Sequence, residues 1–226
     1  MQDEPISKPV LVIFVLFLMS LAPFILMMTT SFVKIAVVLS LIRQAIGTQQ
    51  IPPNPIVTGL ALILTVYVMI PVGQKAYDAS RTVIQSNGPS EVISMQSIDV
   101  LKEAIDAGKE PVREFLKRHA NPRERKLFYD IGRKLKINDI LGGLEQYDFM
   151  VLIPAFVVSE LTEAFQIGFI IFLPFLIIDM VVSNILLSLG MFQVSPITVS
   201  LPLKLLLFVL ADGWYLITEG LVKAYV

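Results

Sequence analysis

The sequence has no cysteine and a single histidine, and each scarcity excludes a class of chemistry. Without cysteine there is no disulfide, no thiol nucleophile and no thiolate ligand for a metal. With His119 alone, no site can use two imidazoles. The 18 Lys or Arg residues and 19 Asp or Glu residues give a net charge of −1. The chain therefore lacks the basic excess of a protein that binds nucleic acid through its overall charge.

Charged residues of either sign are also scarce. They make up 16% of the chain, against about 25% in a typical soluble domain. Hydrophobic residues make up 55%, and the mean hydropathy is +0.73. Both departures point the same way, to a membrane protein or a subunit buried in an assembly.

The charges that are present concentrate in the middle third of the chain. Residues 76–146 hold 12 Lys or Arg and 11 Asp or Glu. Before them lie two uncharged runs, residues 9–33 and 44–74, and each exceeds the roughly 20 residues that span a bilayer core. We therefore predict an all-α fold of membrane-type helical hairpins with an inserted small polar domain. Its parts are an apolar hairpin at residues 1–75, the polar, mostly helical domain at 76–146, and apolar hairpins at 147–226.

The apolar runs and their Gly and Pro interruptions predict the individual helices. The predicted helices outside the polar domain are residues 9–46, 54–75, 149–165, 167–189 and 198–223. Pro23 is the expected point of a kink in the first helix. Asp3 and Glu4 make the start of the chain acidic where a signal peptide has a positive region, which favours a retained first helix.

Within the polar domain, caps and prolines predict three short helices. Ser97 is a candidate N-cap, Gly108 a candidate helix end and Pro111 a candidate first-turn residue of the next helix. Asn121 followed by Pro122 repeats this pattern. Residues 82–96 are expected to form a loop.

Seven charged residues are embedded in the apolar thirds. They are Lys34, Arg43, Glu160, Glu163, Asp179, Lys204 and Asp212. Each would cost about 2.5–3.5 kcal/mol at the centre of a bilayer, so they must face protein, water or one another. We expect ion pairs between helices or subunits. End-of-helix snorkelling and a proton or ion relay remain the alternatives.

Motifs of enzymatic chemistry are missing from the sequence. Glu160 and Glu163 lie three residues apart on one helical face, but no nucleophile and base accompany them. There is no Gly-rich phosphate loop, no H-E-x-x-H and no G-x-S-x-G. We therefore predict no catalytic residue, no bound cofactor and no metal site.

The loop at residues 190–196 divides the C-terminal apolar segment and carries large apolar side chains. Met191 and Phe192 stand beside Gln193 in this loop. Such a segment is an ordinary hairpin turn in many proteins. A ring of such loops around an axis would form a deformable apolar constriction, which closes a channel by excluding water.

Several stretches of the chain resemble one known family. They are TSFVKI at residues 30–35, LIRQAIGTQQIPPN at 41–54, EPVREF at 110–115, PAFVVSEL at 154–161, LPFLIID at 173–179 and FVLADGW at 208–214. They are similar to the FliP/SctR family, the core export-gate proteins of bacterial flagellar and injectisome type III secretion systems. The resemblance covers nearly the whole chain outside residues 1–10 and 82–96.

The resemblance implies a role that composition could not show. Family members form a pentameric ring with SctS/FliQ-type and SctT/FliR-type membrane proteins. The ring conducts unfolded export substrates across the bacterial inner membrane, at the centre of the basal body, with the polar domain on the periplasmic side. The family's methionine-rich gasket loop matches Met191, Phe192 and Gln193, of which only the first is methionine. The absence of a longer leader favours an injectisome member. The alternative function is a proton- or ion-coupled transporter that uses the buried carboxylates.

Overall fold

The computed structural model describes residues 8–48, 52–86, 95–135, 137 and 143–226. Within these ranges the fold is all-α, as predicted, and contains no strand. The helices are α1 Lys8–Thr29, α2 Phe32–Ile46, α3 Asn54–Ser86, α4 Met95–His119, α5 Pro122–Lys134, α6 Phe149–Ser188, α7 Pro196–Leu210 and α8 Gly213–Lys223. The acidic start of the chain, residues 49–51 between the first two predicted helices, and residues 87–94 lie outside the described residues. The ends of the loop predicted at 82–96 are helical, because α3 reaches Ser86 and α4 begins at Met95.

The first apolar segment is two helices and not the single helix that we predicted. Residues 19–29 of α1 and helix α2 meet at an angle of 71°. The break lies at Thr30 and Ser31, whereas Pro23 lies inside α1. The hydroxyls of Thr29 and Thr30 donate to carbonyls four residues back, at 2.8 and 2.7 Å. Such bonds compete with the helix backbone and bend it.

Helix α3 continues past the apolar segment into the polar region and ends at Ser86, not at Lys75 as predicted. Helix α4 is also longer than predicted, because it begins at Met95 and passes through both Gly108 and Pro111. A Cβ atom on Gly108 would lie 2.5 Å from the Ser80 Oγ of α3. That glycine therefore permits close packing of α3 and α4 and does not end a helix.

The cap of α5 agrees with the sequence pattern. The Asn121 side chain accepts a hydrogen bond from the backbone N–H of Arg123 at 2.9 Å, and Pro122 occupies the first turn. This satisfies one of the donors that the start of a helix leaves without a partner.

The C-terminal segment differs from its predicted division in two places. Helix α6 runs through residues 166–168 as one 40-residue helix, where we predicted two helices. The predicted helix at 198–223 is instead α7 and α8, which meet at 60°. Asp212 lies at this corner with φ 50° and ψ 45°, a left-handed conformation that the helix cannot contain.

The core is built around α2 and α6. In one cluster, Ile35, Val38 and Leu39 of α2 pack with residues of α3, α6, α7 and α8. In a second, Phe115 of α4 packs with Phe156 of α6 and with other side chains. Many large apolar side chains of α6 and α7 remain exposed on the single chain.

Two helices of the described residues, α3 and α6, are long and apolar enough to cross a membrane. The number rises to four if each bent pair, α1 with α2 and α7 with α8, forms one span. Length and composition thus agree with a membrane protein of two to four spans.

Replacement of Gly168 by alanine tests the contact between α2 and α6. The new Cβ would overlap the Leu41 Cδ1 and would lie 3.2 Å from the Leu41 Cβ. We expect overpacking to lower the free energy of unfolding by about 1–3 kcal/mol. The measurement is thermal unfolding of the detergent-solubilised protein, followed by circular dichroism.

The matched control is Gly59→Ala in α3, where nothing lies within 4 Å of the added Cβ. Alanine is favoured over glycine inside a helix by about 0.5–1 kcal/mol, so this variant should be as stable as the wild type or more so. Equal stability of the two variants would contradict the packing that we describe.

Candidate functional site: buried ion pairs and an exposed apolar loop

A lysine on α2 is enclosed by two carboxylates of α6. Lys34 is 1% exposed, and its Nζ lies 3.1 Å from Glu160 Oε1 and 2.6 Å from Glu163 Oε2. Glu160 is fully buried, whereas the side chain of Glu163 is 49% exposed. The three-residue spacing places both carboxylates on one face of α6, so both reach the same ammonium group.

Tyr225, which follows α8, completes this site. Its hydroxyl donates a hydrogen bond to Glu160 Oε2, and its ring lies 4.4 Å from the Lys34 Nζ, measured to the ring centroid. The ammonium group therefore gains a cation–π contact in addition to its ion pairs. We call Lys34, Glu160, Glu163 and Tyr225 the Lys34 cluster.

The polar domain contacts the Lys34 cluster through aromatic side chains of α4. The rings of Phe115 and His119 lie 6.0 and 5.0 Å from the Tyr225 ring, between centroids. Burial, followed by the charges of Lys34 and Arg118, lowers the pKa of His119 to about 4. His119 is therefore neutral near pH 7 and adds no further cation to the cluster.

A second ion pair joins α6 to α7. The Lys204 Nζ lies 2.6 Å from Asp179 Oδ2, and the Ser200 hydroxyl donates to Asp179 Oδ1 at 2.6 Å. Lys204 also donates to the carbonyl of Ala45, near the end of α2, at 3.4 Å. A cation is favourable at that position because the last carbonyls of a helix carry partial negative charge.

Arg43 and Asp212 have no ionic partner within the described part of the chain. The Arg43 guanidinium donates to the Asn54 side chain and, at 3.4 Å, to the Pro52 carbonyl. It thereby links α2 to the start of α3. Asp212 is exposed and its side chain caps no helix. That Arg43 and Asp212 each pair with a residue of a neighbouring subunit stays a prediction.

The loop between α6 and α7 presents its large side chains outward. Gly190, with φ 73°, ends α6, because the N–H groups of Gly190 and Met191 donate to the carbonyls of Leu187 and Leu186 at 3.0 Å. These two backbone hydrogen bonds are the pattern of a Schellman cap. Phe192 is 77% exposed and Met191 is 44% exposed. Gln193 is exposed beside them.

No three His, Asp or Glu side chains come together as a metal site among the residues that the structure describes. The buried charged side chains Lys34, Glu160 and Lys204 instead form ion pairs. These contacts can hold helices in register.

Sequence reasoning missed two participants in these pairs. Tyr225 lies 65 residues from Glu160, and Ser200 lies 21 residues from Asp179. Neither is charged or part of a periodic pattern that points to its partner. The one signal in the sequence was that Ser200 lies four positions before Lys204. Residues at that spacing share a helical face, so Ser200 could have been expected beside the partner of Lys204.

Lys34→Met should lower the free energy of unfolding by about 3–5 kcal/mol, because it leaves the buried Glu160 carboxylate without its counter-charge. The double variant Lys34→Met/Glu160→Gln removes both charges and should recover most of that loss. Thermal unfolding in detergent, with all four members of the double-mutant cycle, measures the coupling.

The matched control is Lys223→Met, which breaks an exposed ion pair of 2.6 Å with Glu219. Exposed pairs contribute only about 0–1 kcal/mol. Additive effects of the Lys34 and Glu160 substitutions would show that these two charges do not stabilise each other.

The sequence is similar to proteins of several bacterial secretion and flagellar systems. Yop proteins translocation protein R of Yersinia pestis is 50% identical over 213 residues, 94% of each chain. Hypersensitivity response secretion protein HrcR of Ralstonia nicotianae is 42% identical over 206 residues, 91% of this chain and 92% of that protein. Flagellar biosynthetic protein FliP of Bacillus subtilis is 40% identical over 222 residues, 98% of this chain and 94% of that protein.

The FliP family pattern matches residues 15–221, which include both ion pairs and the loop between α6 and α7. The match and the relatives together extend over nearly the whole chain. The chain therefore belongs to the FliP family of type III secretion and flagellar export proteins, which are structural parts of an export apparatus and not enzymes.

Proposed function

We propose that this chain is a pore-forming core subunit of a type III secretion export gate. It conducts unfolded proteins across the bacterial inner membrane, within the basal body, and the loop at residues 190–196 acts as a gasket. The observation that carries the proposal is the exposure of Met191 and Phe192 at the tip of the α6–α7 hairpin. Exposure of these apolar side chains to water is unfavourable. In a ring, such tips would contact one another and close a channel by excluding water.

The exposed apolar surface of α6 and α7 supports an assembly of several copies. Large side chains such as Phe169, Ile177 and Leu206 are each more than half exposed. Contiguous apolar surface of this kind marks contact with protein or lipid. The proposed assembly is a pentameric ring with SctS/FliQ-type and SctT/FliR-type membrane proteins.

The continuous helix α3 supports a fixed position for the polar domain. This helix begins in the apolar hairpin and continues past Lys75 to Ser86, and α4 packs against its polar part. A helix without a break transmits the orientation of its membrane segment to the polar domain. We propose that this domain lies on the periplasmic side. The identity of 50% to the Yop translocation protein of Yersinia, against 40% to the flagellar protein of Bacillus subtilis, favours an injectisome over a flagellum.

The contacts of Asp179 do not favour a proton- or ion-coupled transporter. One carboxylate oxygen accepts from Lys204 and the other from Ser200. Both donors lie on α7 and one of them is the cation Lys204, which is the arrangement of an interhelical ion pair. Asp179 thus serves to position α7 against α6.

Replacing Met191 and Phe192 together with glycine should make the closed complex permeable to small ions. The substitution removes the two apolar side chains that exclude water at the loop tip. The measurement is the conductance of the closed export complex in planar bilayers, where we expect about a tenfold rise or more.

The control variant is Met191→Leu/Phe192→Leu, which keeps the tip apolar and should keep the complex closed. Unchanged conductance of the glycine variant, in a complex of normal subunit content, would refute the gasket. A leak of equal size in the leucine variant would show that apolar character is not the cause.

Replacement of Asp179 by asparagine distinguishes a structural pair from a relay. The substitution leaves the buried Lys204 without its counter-charge, so the yield of assembled complex should fall. The double variant Asp179→Asn/Lys204→Met removes both charges and should restore assembly and secretion in part. Blue native gels of extracted membranes measure assembly, and secretion assays measure transport.

Asp106→Asn is the control, because it breaks only an exposed ion pair with Lys109 in the polar domain, and such pairs contribute about 0–1 kcal/mol. It should assemble and secrete as the wild type does. A relay would give the opposite pattern for Asp179: normal assembly without secretion, and no rescue by the second substitution.

A further inference from the structure

The corner between α1 and α2 contains no proline or glycine. Sharp bends of helices arise mostly at these residues, or where a group inserts into the backbone hydrogen bonds. Residues 24–46 contain neither, and Pro23 lies inside α1. Ser31 has φ −63° and ψ −3°, so a change of about 40° in ψ would give it the helical conformation. The sequence therefore permits α1 and α2 to form one continuous helix.

The bent form leaves a polar group at the start of α2 without a partner. The first N–H groups of any helix lack an acceptor within that helix and need a cap. Ser31 occupies the cap position of α2, but its side chain makes no capping hydrogen bond. Its hydroxyl is fully buried and has no hydrogen-bond partner in the described part of the chain. A buried polar group without a partner is unfavourable, so the bend has a cost at this point.

A straight form would give these groups partners. In a continuous helix each N–H donates to the carbonyl four residues back, so the first N–H groups of α2 would meet the last carbonyls of α1. A serine hydroxyl inside a helix can donate to the same kind of carbonyl, as Ser40 does to Ala36 at 2.8 Å. For Ser31 that acceptor is the carbonyl of Met27, which a helix running through the corner places within reach.

The two helices are held unequally by the rest of the chain. Seven residues of α2 are buried, including Lys34 of the Lys34 cluster. Of the described side chains of α1, only Thr29 is buried, and large ones such as Met19 and Leu26 are more than half exposed. A cavity of about 310 Å³ lies between α1 and α3. Helix α2 is therefore the fixed arm of the corner, and α1 is the arm that can move.

We propose that Thr30 and Ser31 form a hinge, about which α1 moves between the bent form and one continuous helix with α2. The bent form keeps the contacts of α1 beside α3, whereas the straight form satisfies the buried polar groups of the corner. A rotation of 71° would carry the Met19 end of the arm by about 20 Å. It would also open the apolar side of α3 that lines the cavity. The hinge belongs to the single chain and does not depend on the pore.

Pulsed electron paramagnetic resonance between two nitroxide labels tests the hinge on the full chain in detergent. The chain has no cysteine, so Met19→Cys/Gln44→Cys gives two unique labelling positions, both exposed. The 71° corner and a rise of 1.5 Å per residue place the two Cα atoms about 31 Å apart in the bent form and about 38 Å apart in the straight form. We expect both distances. One distance that stays the same in the parent chain and in the variants below would overturn the proposal.

Two substitutions at the corner should shift the ratio of straight to bent form in opposite directions. Ser31→Ala removes the hydroxyl that only the straight form pairs, so the ratio should fall by about fivefold. Alanine is also the better helix former, so helix propensity cannot cause that fall. Thr30→Ala should raise the ratio by about threefold, because residue 30 belongs to a helix only in the straight form.

The matched control is Ser40→Ala. The Ser40 hydroxyl bonds to Ala36 within α2, and this bond is the same in both forms. The ratio should therefore stay within about twofold of the parent chain. Equal shifts in Ser31→Ala and Ser40→Ala would overturn the proposal, as would a change in the same direction in the Ser31 and Thr30 variants.

Discussion

The structure depends on the way in which the charge of Lys34 is enclosed by protein. A buried ammonium group is strongly unfavourable unless counter-charges and hydrogen-bond acceptors surround it. Two carboxylates of α6 and the ring of Tyr225 meet this need. The N-terminal bent helix pair, the long central helix α6 and the end of the chain must therefore come together at one point, and α4 reaches the same point through Phe115 and His119.

The two buried ion pairs divide the length of α6 between them. In its first half, Glu160 and Glu163 bind α2, and in its second half Asp179 binds α7. Between the pairs, Gly168 lets α2 approach α6 closely. The buried ion pairs thus join α6 to α2 and to α7. The apolar side chains of the two clusters pack around them. A large apolar surface remains exposed on α6 and α7.

The sequence predicted the helical class and the positions of most apolar segments, but it misplaced the breaks. Pro23 lies within α1 and Pro111 lies within α4, although proline removes one backbone hydrogen bond of a helix. The real corners lie at residues 30–31 and at Asp212. Hydroxyl bonds of Thr29 and Thr30 to the backbone lie at the first corner, and the left-handed Asp212 lies at the second. Similar hydroxyl bonds also occur inside continuous helices, so the sequence does not distinguish the residues at a corner from others.

By itself, the sequence determined that seven charges lie among apolar residues and must face protein, water or one another, since a charge in hydrocarbon is unfavourable in any fold. It also determined the family, through motifs that extend over nearly the whole chain. Only the tertiary structure decided the partners: Lys34 with Glu160 and Glu163, and Asp179 with Lys204. Partners on different helices, far apart along the chain, meet only after those helices have packed. Their distance is therefore a property of the packing, which no local pattern contains.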